Sequence, residues 1–258
     1  MDNVIYREMN QHGANWGKLH NGYFADAQVA SPFIEKIKSA ISISQPKAVV
    51  DLAGGTGFIL SLIEKIVTPD IRLVDIDVSN KQLESHQTGL RIKNLCENLS
   101  DFERDEIGNE DKFLFIMRSA FHYFGQDGLE PLLKHLRPQM NTGEYFVHQT
   151  ACFENQRNCD CANMIYKMMN TGKWYPTVEQ LRQLLENTGW KIESVSDAPK
   201  LTLTCEDLAK RYNLKPRIII AIRRSIVKHY GQIKDVAELT EDGFRAYLHY
   251  KIFTCKAV

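Results

Sequence analysis

The chain has 258 residues, 43% of them hydrophobic, and 32 Lys and Arg balance 32 Asp and Glu. That length fits one α/β domain with additions, and that apolar fraction excludes a disordered chain. Zero net charge argues against a protein whose main task is to grip a phosphate backbone, and no apolar run approaches the roughly 18 residues of a membrane span.

The opening stretch "MDNVIYREMNQHG" shows no basic-then-apolar leader pattern, so a cytoplasmic protein is expected. In that compartment Cys96, Cys152, Cys159, Cys161, Cys205 and Cys255 are free thiols. Residues 1–45 carry Trp16, Tyr23 and Phe24 among polar residues. Ser31-Pro32 predicts a cap and an N1 proline before the helix "FIEKIKSAI". Strand-like runs follow at "KAVVDL" (47–52), "IRLVDI" (71–76), "LRIKNL" (90–95), "KFLFIMRS" (112–119) and "EYFVHQ" (144–149). All five are short and nearly continuous in hydrophobicity, the pattern of strands buried on both faces. Ser79 to Gln82 and Thr177 to Gln180 match capping boxes, and Gly189 matches a C′ residue. A further strand is "KIESVS" (191–196). Helices are predicted at "CEDLAKRYN", "RIIIAIRRSIVKHY" and "TEDGFRAYL", before a last strand "HYKIFTCKA" (249–257). Alternating strands and helices imply a parallel sheet with crossover helices. The expected division is a helical cap segment at 1–45, a core at 46–204, a helical insertion of the cap at 205–246, and a terminal strand at 247–258.

The most informative stretch is "VVDLAGGTGF" (49–58), a strand followed by a glycine turn and the helix "FILSLIEKI". Ligands of open α/β sheets bind at such strand ends, where glycine lets backbone approach closely. The spacing is not the dinucleotide G-x-G-x-x-G, nor is it a P-loop. It resembles the first motif of class I S-adenosylmethionine-dependent methyltransferases, an acid followed by x-G-x-G-x-G. Asp51 takes the acidic position, with Gly54 inside the turn, and Gly55 and Gly57 are the second and third glycines. Ala53 replaces the first glycine, a departure from the pattern.

In that family an acid at the end of the next strand holds the ribose hydroxyls. Asp75, followed by Ile76, is the matching position in "IRLVDID", with Asp77 as the alternative. The stretch "CENLSDF" resembles the one that contacts the adenine edge, which places Glu97, Asn98 and Leu99 there. "FIMRSAFHYFGQDGLEPLLKHLRPQMNTGEYFV" resembles the fourth strand, crossover helix and fifth strand. It implies Arg118 and Ser119, with Ala120, along the cofactor, and Phe121 and His122 beside the substrate. The resemblance covers residues 46–197 and the terminal strand. It implies a Rossmann-like, doubly wound seven-stranded α/β sheet with an antiparallel last strand, plus a helical cap. It also implies S-adenosyl-L-methionine as cofactor and a small-molecule acceptor, not a nucleic acid or a membrane. No acceptor atom and no oligomeric state follow.

His122 and His148 are the candidate bases and substrate contacts, since an imidazole titrates near working pH; the alternative is that they only shape the pocket. Trp16 and Tyr23, with Phe24, either form an aromatic lid over a sulfonium or pack their segment on the sheet. Cys152, Cys159 and Cys161 lack paired C-x-x-C spacing, so no metal is expected. Met164, Met168 and Met169 read as core. The basic, apolar run 217–229 reads as an amphipathic helix that closes the pocket. Two rival functions stay open: a protein or nucleic-acid methyltransferase, and a cofactor-binding protein that transfers no methyl group.

Overall fold

A computed structural model of the chain describes residues 22–86, 91–108 and 112–258. Helix α1 (Ala27–Ser44) precedes β1 (Ala48–Leu52), α2 (Phe58–Ile63), β2 (Arg72–Asp77), α3 (Asn80–Leu83) and β3 (Ile92–Cys96). Next come β4 (Phe113–Arg118), α4 (Gly125–Leu136), β5 (Tyr145–Ala151), α5 (Gln156–Met168) and α6 (Val178–Asn187). The chain ends with β6 (Trp190–Thr204), α7 (Cys205–Tyr212), α8 (Pro216–Tyr230), β7 (Ala237–Leu239) and β8 (Phe244–Ala257). The strands lie in the order β3-β2-β1-β4-β5-β8-β6. The first five are parallel, and β8 runs antiparallel between β5 and β6. This is the expected doubly wound sheet of seven strands, with the short β7 added against β8.

Strand alternation sends successive side chains to opposite faces, and each face has its own helices. Val49, Leu73, Leu114, Ile116 and Val147 pack with Phe33 and Ile37 of α1 and Leu60 and Ile63 of α2. Val50, Leu52, Phe115 and Phe146 pack with Leu132 and Leu136 of α4 and Leu181 and Leu185 of α6. A third cluster joins α5, α7 and α8 to the far ends of β6 and β8 through Ile165, Tyr166, Leu208, Ile222, Ile226 and Tyr250.

Several expectations need correction. Helix α1 starts at Ala27, because Asp26 Oδ1 accepts from the backbone of both Gln28 and Val29. Pro32 therefore lies inside the helix, and α1 covers the sheet rather than capping the strand ends. Strand β3 is not buried on both faces: it is the sheet edge, and Lys93 and Asn94 are exposed. Polar side chains at an edge discourage further strand pairing. Ser79 precedes α3 but forms no side-chain cap, and its N–H instead donates to Asp77 Oδ1 at 2.8 Å. The Thr177–Gln180 box does form. "TEDGFRAYL" is a turn and the start of β8, not a helix. Phe244, Ala246 and Leu248 are buried at a spacing of two, and that strand period overrides the helical reading.

One buried ion pair ties the lower ends of the central strands together. Arg104 donates to both carboxylate oxygens of Glu144 at 2.8 Å, and Glu144 also accepts from Phe113 N and Asn141 N at 2.8 Å. Glu144→Ala leaves a buried guanidinium and two amides without that acceptor. A loss of about 3–5 kcal/mol is expected in urea unfolding; a loss below about 1 kcal/mol contradicts this role.

Candidate functional site

The parallel register sets Asp51 of β1 directly beside Asp75 of β2. The chain then turns sharply over both. Ala53 adopts φ +60°, a left-handed conformation that costs a residue with a Cβ roughly 1–2 kcal/mol, and its N–H donates to Ile76 O at 2.7 Å. A Cβ on Gly54 would collide with Asp75 Oδ1 and stand 2.8 Å from Asp51 Cγ, so no larger residue fits. Gly55 N donates to Asp77 Oδ2 at 3.1 Å. Gly57, at φ +69°, lets His86 approach: a Cβ there would lie 2.8 Å from His86 Nε2. His86 Nε2 itself lies 3.0 Å from Asp75 Oδ2 and 3.2 Å from Gly55 O.

The electrostatics follow from this crowding. Burial, reinforced by the charges of Asp75 and Asp77, holds the Asp51 carboxyl well above the usual carboxylate range. Neither Asp51 oxygen has a hydrogen-bond partner among the described residues. Burial also raises Asp75, against the pull of His86, and the contact with Asp75 raises His86 in turn. Asp77 is pushed up to about 7, chiefly by burial, while the Ser79 and Gly55 amides act in the opposite direction.

A cavity of about 190 Å³ lies above the loop. One end is lined by Asp51, Ala53, Gly54, Gly55, Asp77, Gln82, Glu97, Asn98, Leu99, Arg118 and Ser119. The other is lined by Phe24, His122, Tyr123, Tyr166, Lys173, Tyr175, Arg211, Tyr212 and Tyr250, with Leu201 and Leu248. Arg118 donates from Nη1 to Phe24 O at 3.2 Å and lies 5.4 Å from the Phe24 ring centre, so it ties the segment before α1 to the cavity rim. Ser119, at φ +62°, exchanges a hydrogen bond of 2.8 Å with Tyr250 Oη. His122 is buried, with its ring 5.3 Å from that of Tyr175 and nearly parallel to it.

The cavity therefore gathers most of the expected residues but not all. Asp75 does not line it. Asp75 points under Gly54, and Asp77, two residues on and on the same face of β2, reaches the cavity instead. Ile76 faces the opposite side and packs in the core. Gly57 shapes the turn but is not part of the lining. Phe121 is buried against Phe146 and His148 and does not reach the cavity. Tyr23 stands behind Phe24, where it stacks on Tyr250 and donates to Pro199 O. Trp16 lies outside the described residues. His148 is fully buried, with its ring 5.0 Å from Phe253 and nearly parallel, and Nδ1 2.7 Å from Thr150 Oγ1. It belongs to the core, not to the site.

Lys173, Tyr175, Arg211, Tyr212 and Tyr250 were not singled out in the sequence. Their elements lie far apart along the chain, and only the fold brings them together. The run 217–229 does not line the cavity; the end of α7 closes it instead, while α8 packs behind with Ile222 and Ile226 buried. Cys159 and Cys161 are buried in α5 and Cys152 follows β5; burial raises all three thiols, Cys159 to about 11 and Cys161 to about 12. Among the described residues no cluster of His, Cys, Asp and Glu has the arrangement of a metal site, and no helix is long and apolar enough to cross a membrane.

Burial lowers the His148 imidazole to about 3, below its usual 6.5. The folded state thus disfavours the proton that the unfolded chain takes up. This stabilising contribution is complete above pH 6.5 and is lost as pH falls from 6.5 towards 3. The difference in unfolding free energy between wild type and His148→Phe should change across pH 5–7 by up to one proton's slope. A constant difference across that range contradicts a neutral, buried His148.

No protein-family model matches the sequence, and no curated protein matches it. Solved structures do match in fold. A protein of Bacillus halodurans C-125 assigned as a methyltransferase superposes with a TM-score of 0.70 at 14% identity, over 88% of this chain and 98% of that one. An S-adenosylmethionine-dependent methyltransferase of Anabaena variabilis gives 0.60 at 15% identity, over 99% and 94%. The [4+2]-cyclase SpnF gives 0.56 at 13% identity, over 100% and 93%. With its strand order, antiparallel β8 and glycine turn over the end of β1, this chain has the fold of the class I S-adenosylmethionine-dependent methyltransferases.

Proposed function

We propose that this protein is an S-adenosylmethionine-dependent methyltransferase that acts on a small molecule. The observation that carries the reading is the glycine turn. It is packed against Asp51 and Asp75 so tightly that it presents backbone, not side chains, to a cavity whose rim carries Asp77.

The residues present fit this cofactor. Asp77 offers a carboxylate to a pair of vicinal hydroxyls, and Glu97, Asn98 and Leu99 offer polar edges and an apolar face to an adenine. Asp51 holds a buried carboxyl group whose oxygens lack hydrogen-bond partners among the described residues, and a ligand ammonium would satisfy it. Gly54, Gly55, Ala53, Arg118 and Ser119 line the space between them. The bound cofactor supplies an electrophilic methyl group on a sulfonium, so alignment of the acceptor provides much of the rate. His122, three residues past Ser119, lines the cavity, and it is the candidate imidazole to take a proton from an acceptor hydroxyl or amine. Phe24 and the tyrosines at the far end exclude water from the transfer. A confined, mostly apolar cavity suits a metabolite rather than a polymer.

Calorimetric titration with S-adenosylmethionine, S-adenosylhomocysteine and, as control, NAD tests the reading. Both adenosyl ligands should bind and NAD should not; the reverse pattern, or no binding, contradicts it. Asp77→Ala should weaken S-adenosylhomocysteine roughly 10- to 150-fold, the effect of losing a charge-assisted hydrogen-bond pair. Because burial pushes Asp77 up to about 7, and only its ionised form accepts at both oxygens with a full charge, affinity should rise between pH 6 and 8 in wild type and stay flat in Asp77→Asn. Labelled methyl groups appearing on a metabolite separate this enzyme from a cofactor-binding protein without methyl transfer.

A further inference from the structure

Helix α8 has two unlike faces. Its inner face is apolar: Ile222 and Ile226 are fully buried, and Ile218 and Ile219 pack against the same cluster. Its outer face carries Arg217, Ile220, Arg224, Val227 and Lys228, all exposed, with Ile220 at 50% and Val227 at 49%. Residues three, four and seven apart share a helix face, so these five fall in one sector, opposite Ile222 and Ile226. Two branched aliphatic side chains therefore stand in solvent with bases on either side of them. The helix contains no Asp or Glu, in a chain whose net charge is zero. Arg223, at the edge of the sector, is engaged inside the protein, where it donates to Gly243 O at 3.2 Å and to Thr240 O at 3.4 Å. Among the described residues no ion pair or side-chain hydrogen bond engages Arg217, Arg224 or Lys228.

Helix stability does not account for this charge. Lys228 lies in the last turn, where a cation complements the helix dipole. Lys215, however, is the N-cap and Arg217 lies in the first turn, where a cation opposes that dipole. The face also lacks the features of a protein interface. It is a convex ridge without an aromatic anchor, and its aliphatic residues alternate with bases, whereas protein interfaces centre on buried aromatic anchors and deplete charge around them. A lipid surface requires less. Bases are attracted additively to anionic head groups, aliphatic carbon is buried only shallowly, and the stems of Arg and Lys lie along apolar surface while their charges reach the phosphates.

We infer that the outer face of α8 is a docking surface for an anionic lipid bilayer. At 15 residues the helix lies along the bilayer and does not cross it. Ile220 and Val227 enter the head-group layer, and Arg217, Arg224 and Lys228 meet the lipid phosphates. The contact is peripheral and reversible, and it does not depend on the methyl-transfer reading. Residues 213–215 join α8 to the end of α7 that closes the cavity, so docking sets that wall of the cavity beside the lipid.

The test is vesicle flotation of the full chain, with vesicles of phosphatidylcholine alone or of phosphatidylcholine with one-third phosphatidylglycerol, at low and at raised salt. Binding to the anionic vesicles should exceed binding to the neutral ones at least ten-fold and should weaken as salt rises. Each base near the surface is worth about five-fold in partition, so Arg217→Gln, Arg224→Gln and Lys228→Gln combined should lower anionic-vesicle binding by about 100-fold. Lys65→Gln, Lys112→Gln and Lys134→Gln combined remove the same charge from exposed positions on other elements and should lower it by less than about five-fold. Ile220→Ser with Val227→Ser should weaken binding at unchanged net charge. Thermal melting of every variant controls for folding. Binding to neither vesicle, equal binding to both, binding unchanged in the α8 glutamine variant, or an equal loss in the Lys65, Lys112 and Lys134 variant overturns the proposal. Retention on polyglutamate or on duplex DNA in preference to anionic vesicles also overturns it, and assigns the face to an acidic protein or to nucleic acid.

Discussion

Two carboxylates meet beneath one glycine, and the site is arranged around that fact. Parallel pairing of β1 and β2 puts Asp51 and Asp75 side by side at the ends of their strands. Both are buried, and the only room for the chain above them is the room a missing Cβ leaves at Gly54. Repulsion between such close acids favours an uncharged form, and the neighbouring cations reduce that cost: His86 at Asp75 and Arg118 at Asp51. The turn is consequently held from below by packing and from the side by His86. A loop fixed in this way meets a ligand with backbone already in position, so little ordering entropy remains to be lost on binding.

Topology then determines what faces the turn. Strand order reverses between β1 and β4, and the crevice at such a reversal is where open α/β sheets bind ligands. The parallel strands deliver Asp77, the 97–99 loop and Arg118 to one side of that crevice. The additions to the sheet deliver the other side: the segment before α1 brings Phe24, the loop after α5 brings Lys173, and α7 brings Arg211 and Tyr212. The two sides of the cavity thus come from different parts of the chain, the parallel sheet on one hand and the segments packed on its end on the other.

The parts of this architecture that depend on local pattern were readable in the sequence. The buried strands, the Thr177 cap and the glycine turn each follow from short-range residue order. Glu97, Asn98, Leu99, Arg118, Ser119 and His122 came from the family resemblance rather than from local pattern, and all six line the cavity. Choices between neighbours were not readable. Asp75 and Asp77 lie on the same face of β2, and only the collision with Gly54 shows that the first is beneath the loop and the second beside the cavity. His148 was a plausible base by position, yet alternation along β5 puts its ring against Phe253 in the core. Phe121 and Tyr23 each stand one residue from a side chain that does reach the cavity, His122 and Phe24. The far wall was invisible because Lys173, Arg211 and Tyr250 converge only through long-range packing. "TEDGFRAYL" was misread because its helical spacing competes with a strand period that pairing with β6 and β7 decides.

The central claim is that the turn over Asp51 and Asp75 is the cofactor seat. Hydrogen–deuterium exchange of the full chain, with and without S-adenosylhomocysteine, tests it most directly. The account predicts added protection in peptides that span 53–58, 77–82, 97–99 and 118–120, with no comparable change along the edge strand β3. Protection confined to other segments, or no difference between the two states under saturating ligand, would contradict it.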